Sequence, residues 1–345
     1  MKKNVLILQN VIPHYRKALY NLLANDFRIT IIHSGNRTVT KFDKYAEIII
    51  PARKFGPFYF QHGLLKNLYN GYDVIIAMCD FHWPGYFIPL FLRPKNIRYI
   101  LWGSWLTKRD LADLLKVQFA KLADYNIYYC EQHKENFLAR KVPGNKMVVA
   151  NNTFDPGIRI ECYLYSNKCR VLFVGSLDER KENEVLIRAF NNIQDNIQSK
   201  IFLSIVGDGV TKDSLVQLVE ELGISEIVKF EGRITDTNIL STYYSEAIVS
   251  VSHGQAGLSV LQSLGYGVPF ITKTDAISGG EKTNIIHGYN GYFSDGSIAD
   301  LENRLLELCN DIHKAREMGK NAFDYYSQNC TLENMENRFK IAINS

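Results

Sequence analysis

The stretch Val174-Gly175-Ser176-Leu177-Asp178-Glu179-Arg180-Lys181 puts a glycine at the end of a β-like run and two cations just ahead of a helical pattern. Glycine admits a bound group close to the backbone, and Lys181 with Arg180 can neutralise a diphosphate. Val206-Gly207-Asp208-Gly209 ends a second apolar run in glycines. Gly254-Gln255-Ala256-Gly257-Leu258-Ser259 opens an apolar helix, whose free N–H groups and positive dipole end suit a phosphate. Any one of these is ordinary turn chemistry. Three of them after successive strands of one sheet, at the edge where such sheets bind ligands, make a pattern. No Asp-x-Asp pair occurs in the sequence to hold a divalent ion at a diphosphate, so the charge work falls to cations and a helix end, and no metal is expected.

Two histidines follow β-like runs: His14 in Pro13-His14-Tyr15-Arg16 and His82 in Asp80-Phe81-His82-Trp83. Imidazole exchanges protons near neutral pH, so both are candidates to touch a substrate; the competing reading is that they are loop or packing residues.

These groups need a scaffold, and the sequence supplies a repeated one. In the first half, Val5–Leu8, Arg28–His33, Val74–Met78, Arg98–Leu101 and Tyr125–Cys130 read as strands. Helical patterns lie between them at Lys17–Ala24, His62–Tyr69 and Asp110–Ala123, the last with Leu111, Leu114, Leu115 and Leu122 on one face. The second half alternates strands Val171–Val174, Ile201–Val206, Val228–Glu231, Ile248–Val251 and Phe270–Thr272 with helices near Glu184–Asn192, Asp213–Leu222, Asp236–Tyr244 and Leu258–Tyr266. Alternation of this kind predicts parallel sheets covered on both faces, in two doubly wound domains. The pattern lapses between Asn151 and Lys168, where the hinge is expected.

The length of 345 residues suits two domains, and 46% hydrophobic with 22% charged residues is a globular composition. The six cysteines lie far apart without metal-binding spacing and read as buried thiols. Val5-Leu6-Ile7-Leu8 is too short for an export signal, and the greasy stretch Phe81 to Leu92 is broken by prolines, so a cytosolic protein is expected. Charge is unevenly spread. Residues 1–150 hold 22 Lys/Arg against 10 Asp/Glu, a net of +12, which leaves 18 against 26, a net of −8, for the rest. The first half should therefore meet something anionic, such as lipid headgroups or a phosphate-bearing acceptor. The basic residues are dispersed and come without a recognition motif, so nucleic acid is not expected. Aromatic and basic residues intermingle in Arg53-Lys54-Phe55-Gly56-Pro57-Phe58-Tyr59-Phe60 and in Phe91-Leu92-Arg93-Pro94-Lys95 with Arg98, as at a membrane surface.

The ordered motifs carry a specific resemblance. Phe173-Val174-Gly175-Ser176-Leu177 with Lys181, Val206-Gly207-Asp208-Gly209, Val228-Lys229-Phe230-Glu231-Gly232, Tyr244-Ser245-Glu246-Ala247, Gly267-Val268-Pro269 and His287-Gly288-Tyr289-Asn290-Gly291 follow one another at familiar spacings over residues 170 to 293. The second half thereby resembles the nucleotide-binding domain of the family-four retaining glycosyltransferases (glycosyl transferases group 1). Val142-Pro143-Gly144-Asn145-Lys146 is similar to the family's entry into its interdomain linker.

The resemblance implies the GT-B fold: two Rossmann-like domains facing across a cleft, with a C-terminal helix crossing back. The expected divisions are an acceptor domain over 1–152, a linker over 153–169, a nucleotide-sugar domain over 170–328 and a crossover helix over 329–345. It also implies retention of anomeric configuration, with the nucleotide sugar as substrate and no cofactor. Lys181, Arg180, His82 and His14 become the catalytic candidates. Donor contacts fall to Gly175, Ser176, Gly207, Gly209, Arg233, Gly257, Leu258, Ser259, Gln262 and Glu281.

The sequence departs from the family at important places. Aligned on Gly267-Val268-Pro269, Gly254 and Gln262 stand where members carry two glutamates around the helix that holds donor sugar and ribose. Ser176 replaces a usual arginine, and Pro13-His14-Tyr15-Arg16 replaces a glycine pair. Glu281 is a candidate substitute for one lost carboxylate, and Gln262 can still bond ribose hydroxyls. The expected function is a metal-independent transferase acting on a lipid-linked or polysaccharide acceptor of the cell surface. The alternatives are a nucleotide-sugar 2-epimerase, a non-catalytic nucleotide- or glycan-binding module and, less consistent with the glycine pattern, a dinucleotide oxidoreductase.

Overall fold

The computed structural model describes residues 1–107, 110–157 and 159–345. Lys108 and Arg109, in the basic first half, and Ile158, within the expected linker, lie outside the described residues. The chain divides into two units. One comprises Met1–Asn151 with Leu332–Ser345, the other Asn152–Thr331.

The first unit is built on β1 (Asn4–Leu8), β2 (Arg28–His33), β3 (Ala46–Ile49), β4 (Ala52–Phe55), β5 (Phe58–Gln61), β6 (Val74–Met78), β7 (Arg98–Trp102), β8 (Tyr125–Tyr128) and β9 (Met147–Val149). All but β4 and β5 form one parallel sheet in the order β3-β2-β1-β6-β7-β8-β9. The order reverses between β1 and β6, and the loops after those strands open the crevice where doubly wound sheets hold ligands. β4 and β5 form a separate antiparallel hairpin. Continuous apolar runs such as Val5-Leu6-Ile7-Leu8, fully buried, fit a sheet covered on both faces. The C-terminal helix Leu332–Asn344 belongs to this unit: Phe339 meets Trp102 edge-on at 4.9 Å between ring centroids, and Lys3 Nζ donates to the Ile343 carbonyl at 3.0 Å.

The helix expected at Asp110–Ala123 runs over Asp110–Leu122, but its leucine face points to solvent. Leu111, Leu114, Leu115 and Leu122 are 73%, 52%, 41% and 53% exposed, while Val117 and Ala120 are buried against the sheet. The expected helix at His62–Tyr69 shrinks to Leu64–Asn67. Gly63 precedes it in the left-handed conformation (φ 89°) and Gly71 follows with φ 75°, so turns bound it on both sides.

The second unit is a parallel sheet of β10 (Arg170–Val174), β11 (Phe202–Val206), β12 (Val228–Gly232), β13 (Ala247–Val251), β14 (Phe270–Lys273) and β15 (Gly291–Ser294), in the order β12-β11-β10-β13-β14-β15. The reversal lies between β10 and β13. The segment before β10 packs on this unit, with Cys162 N–H donating to the Tyr266 carbonyl and Cys169 N–H to that of Glu246. Two helices absent from the sequence reading, Ile298–Asn310 and Ile312–Asn329, complete it; Leu301, Leu305, Leu308, Ala315 and Met318 join its core. No helix among the described residues is long and apolar enough to cross a membrane.

Candidate functional site

In the second unit the loops after β10, β13 and β14 meet at the reversal of strand order. Asp178 caps the short turn Glu179–Lys181 by accepting from Arg180 N–H. That turn aims Lys181 inward. Its side chain is buried and lies over Gly175, where an added Cβ would be 3.6 Å from Lys181 Cε and 3.7 Å from Nζ. The ammonium donates to the Gln255 carbonyl at 3.4 Å, in the loop that leads to the helix Leu258–Gly265. Burial pulls Lys181 below the usual lysine range; Asp178 and Glu281 oppose that shift and Arg180 reinforces it. A buried ammonium with one long hydrogen bond among the described residues is a group short of anionic company.

Arg180 points elsewhere. Its guanidinium grips Asp178 through Nε at 3.1 Å and Nη2 at 3.1 Å, and its side chain is 62% exposed. Ser176 Oγ donates to the same carboxylate at 2.8 Å. The hydrogen bond from Arg180, foremost, holds the Asp178 carboxyl below its usual range. Lys181 and Arg180 are thus adjacent in sequence but on different sides of the turn.

The glycines divide by role. A Cβ on Gly207 would lie 1.8 Å from the Gly175 carbonyl oxygen, and one on Gly209 2.2 Å from that of Leu177. Both are there for packing of the loops after β10 and β11. The pair is tied further by Gly175 N–H to the Val206 carbonyl and Leu177 N–H to that of Asp208. Gly257 differs: it caps the helix Leu258–Gly265 and faces open space, with nothing within 4 Å of an added Cβ. Leu258 and Ser259 form the first turn; Ser259 Oγ is buried without a hydrogen-bond partner among the described residues. Gln262, one turn on, is buried. Arg233 is exposed just after β12, whose terminal Gly232 carbonyl accepts from Gly207 N–H at 2.8 Å.

Glu281 is buried and engaged. It accepts from Asn152 Nδ2 at 3.0 Å, Gly279 N–H at 2.9 Å and Ser278 Oγ at 3.2 Å. A second carboxylate, Glu182, escaped the sequence reading. It pairs with Lys273 Nζ at 2.7 Å and lies 3.6 Å from His253 Nε2. The three residues are up to 91 positions apart, and no motif links them.

In the first unit, His82 follows β6. Its Nδ1 meets Asp80 Oδ1 at 2.8 Å, which leaves Nε2 as the outward nitrogen. Asp80 and His82 line a cavity of about 530 Å³ with Asn10, Ser34, Tyr59 and Trp83, from the loops after β1, β2 and β6 and from the hairpin. Tyr59 stacks on Trp83 at 5.0 Å and Trp83 on Tyr86 at 5.5 Å. This stack also walls a cavity of about 660 Å³ bordered by Arg53, Gln61, His62 and Lys66. His14 is not among the lining residues; it is exposed on a short turn and meets Tyr15 edge-on at 5.7 Å. Next to it, Arg16 is buried against Trp102 at 4.2 Å from the ring and donates to the Tyr129 hydroxyl at 2.6 Å. Sequence reading took this loop for a replacement of a glycine pair and missed the buried cation in it.

The chain is similar to known proteins at two levels. Residues 161–325 match the family model for glycosyl transferases group 1. The chain is 28% identical over 167 residues to a D-inositol 3-phosphate glycosyltransferase of Corynebacterium kroppenstedtii, covering 46% of this chain and 36% of that protein. It is 30% identical over 132 residues to the lipopolysaccharide core biosynthesis glycosyltransferase LpsE of Rhizobium meliloti, covering 38% and 36%. These alignments span just over a third of either relative's length. The solved structure of HepE from Anabaena in complex with UDP superposes over 100% of both chains, at a TM-score of 0.74 and 16% identity, a likeness of fold. Residues 161–325 therefore carry the likeness to the glycosyl transferases group 1 family, in a chain of GT-B fold.

Proposed function

We propose that this protein is a retaining, metal-independent glycosyltransferase that moves a sugar from a UDP-sugar to a lipid-linked or polysaccharide acceptor in capsule, O-antigen or exopolysaccharide biosynthesis. The observation that carries the reading is Lys181: a buried ammonium beside Gly175, hydrogen-bonded among the described residues only to the Gln255 carbonyl, in the crevice at the reversal of strand order. A diphosphate would satisfy it. The open backbone at Gly257 and the first turn of the helix Leu258–Gly265 add N–H donors and a positive dipole end to the same anion. Together they stabilise the charge that develops as the bond from the sugar's anomeric carbon to the phosphate oxygen breaks. The acceptor oxygen bonds to that carbon on the same face and its proton passes to the departing phosphate oxygen, so no protein nucleophile is needed.

The names of the relatives support the glycan class, and the UDP held by the structural neighbour supports the choice of nucleotide. On the acceptor side, the His82–Asp80 pair and the aromatic stack offer a polar point and flat faces for sugar rings. The net charge of +12 in residues 1–150, the outward leucine face of Asp110–Leu122, and the exposed Phe91 and Leu92 support work at an anionic membrane surface, peripheral on its cytoplasmic side.

A thermal-shift series with UDP, GDP, CDP and ADP, with and without EDTA, tests the donor site on wild type and Lys181→Ala. A ligand at 100 times its Kd adds about 2.7 kcal/mol, a shift of a few degrees for a chain of this size. Stabilisation by UDP that persists in EDTA and vanishes in Lys181→Ala is expected. Indifference to every nucleotide overturns the reading.

A further inference from the structure

Glu182 ends the turn that carries Lys181 in a left-handed conformation, φ 54° and ψ 42°. Among the described residues it shares a positive φ with a single other non-glycine, Lys141. A side chain in this region is strained, and such strain persists where surrounding contacts hold it, often at ligand sites. Here the strain has a clear result. It lays the Glu182 side chain across Gly254, where an added Cβ would fall 2.7 Å from both Cγ and Cδ of Glu182 and 2.4 Å from the Arg180 carbonyl oxygen. Position 254 has no room for a side chain because the Arg180 carbonyl and the Glu182 side chain fill it, and 254 is the position at which the family resemblance calls for a carboxylate.

The carboxylate is held in place but not used up. Oε1 accepts from Lys273 Nζ at 2.7 Å; Oε2 lies 3.6 Å from His253 Nε2 and has no closer partner among the described residues. The Glu182 side chain is 34% exposed, whereas His253 beneath it is 1% exposed. Glu182 follows β10, His253 follows β13 and Lys273 ends β14, so the group stands at the reversal of strand order, one residue from the Lys181 ammonium. Glu281 offers no such freedom, since both its oxygens already accept from Asn152, Ser278 and Gly279.

We propose that Glu182 binds the hydroxyl groups of the donor's sugar, supplying from the loop after β10 the carboxylate that position 254 lacks. An ionised carboxylate only accepts hydrogen bonds, so it repels the phosphates that Lys181 attracts and selects the polyhydroxylated ring beyond them. This assignment rests on the reading of the second unit as a nucleotide-sugar site.

Calorimetric titration with UDP and with intact UDP-glucose, UDP-galactose and UDP-N-acetylglucosamine tests it on wild type, Glu182→Gln and Glu182→Gly. Wild type should bind one of the UDP-sugars more tightly than UDP. Both variants should lose roughly tenfold in affinity for that UDP-sugar while their affinity for UDP stays within about twofold. Glu182→Gly, freed of the left-handed strain, should melt no lower than wild type, which separates a binding defect from a folding defect. Glu281→Gln should leave the preference for the sugar intact. Equal losses for UDP and UDP-sugar in Glu182→Gln, or none for either, overturn the assignment while the nucleotide site stands. Failure of wild type to bind UDP at all overturns the nucleotide-sugar reading and this assignment with it.

Discussion

Lys181 runs over Gly175 so closely that a methyl group on the glycine would touch its Cε at 3.6 Å and approach its ammonium at 3.7 Å. Function and stability pull apart at this contact. Burial depresses the Lys181 ammonium, which means the fold solvates poorly a charge that the proposed diphosphate would welcome. Lys181→Met should therefore melt at or above the wild-type temperature while kcat falls roughly 10²-fold. A variant that melts lower and turns over normally would show the lysine to be structural.

The two kinds of glycine predict opposite phenotypes. Gly207→Ala forces a methyl into the Gly175 carbonyl oxygen, which must move by more than an ångström, and should cost about 3 kcal/mol in denaturant unfolding. Gly257→Ala meets nothing in the protein, and only its backbone resists, since φ −106° with ψ −141° lies outside the regions alanine favours; stability should fall by about 1 kcal/mol, well short of the Gly207→Ala loss. Its methyl would stand where the proposed diphosphate approaches the backbone, and UDP affinity should drop.

Asp80 and His82 should act as one unit. The carboxylate takes Nδ1, fixing which imidazole nitrogen faces the cavity. Asp80→Ala and His82→Ala should lower kcat/KM for the acceptor by similar factors, about tenfold each, with the double variant little worse than either. Multiplying losses would mean that the two residues serve separately.

Stability should fall on mild acidification because of His253. Burial, foremost, holds its imidazole below the usual histidine range; Glu182 opposes and Lys273 reinforces this. The folded state thus favours the neutral ring. The stability this brings is fully present above the unfolded value of about 6.5 and is lost as pH falls below it, when the unfolded chain takes up the proton first. Urea midpoints measured from pH 7.5 to 5.0 should decline more steeply for wild type than for His253→Gln.

The outward leucines of Asp110–Leu122 should matter to vesicles and not to folding. Leu111→Glu with Leu115→Glu replaces side chains 73% and 41% exposed, so the melting temperature should hold. Sedimentation with phosphatidylserine-containing vesicles at low salt should be lost in this variant and should weaken with salt in wild type. Unaltered sedimentation would move the contact elsewhere, to the hairpin with exposed Phe55, Phe58 and Phe60.

Local chemistry made much of this protein legible from its sequence alone. Continuous apolar runs ending in glycine marked the strands, and 3.6-residue periodicity marked the helices between them, because burial on both faces leaves that imprint on each segment separately. The sequence likewise pointed to Lys181 and to the turn at Gly257, since each lies within a single strand–loop–helix unit of its own. It could not orient the leucines of Asp110–Leu122: periodicity reveals a shared face but not whether the sheet or the solvent receives it. It could not separate Gly207 and Gly209, which accommodate neighbouring carbonyls, from Gly257, which faces open space, because the difference lies in what approaches each glycine. Nor could it single out Glu182. Only the closure of the parallel sheet brings the loops after β10, β13 and β14 together, setting that carboxylate on Gly254 and beside Lys273 across 91 residues of chain.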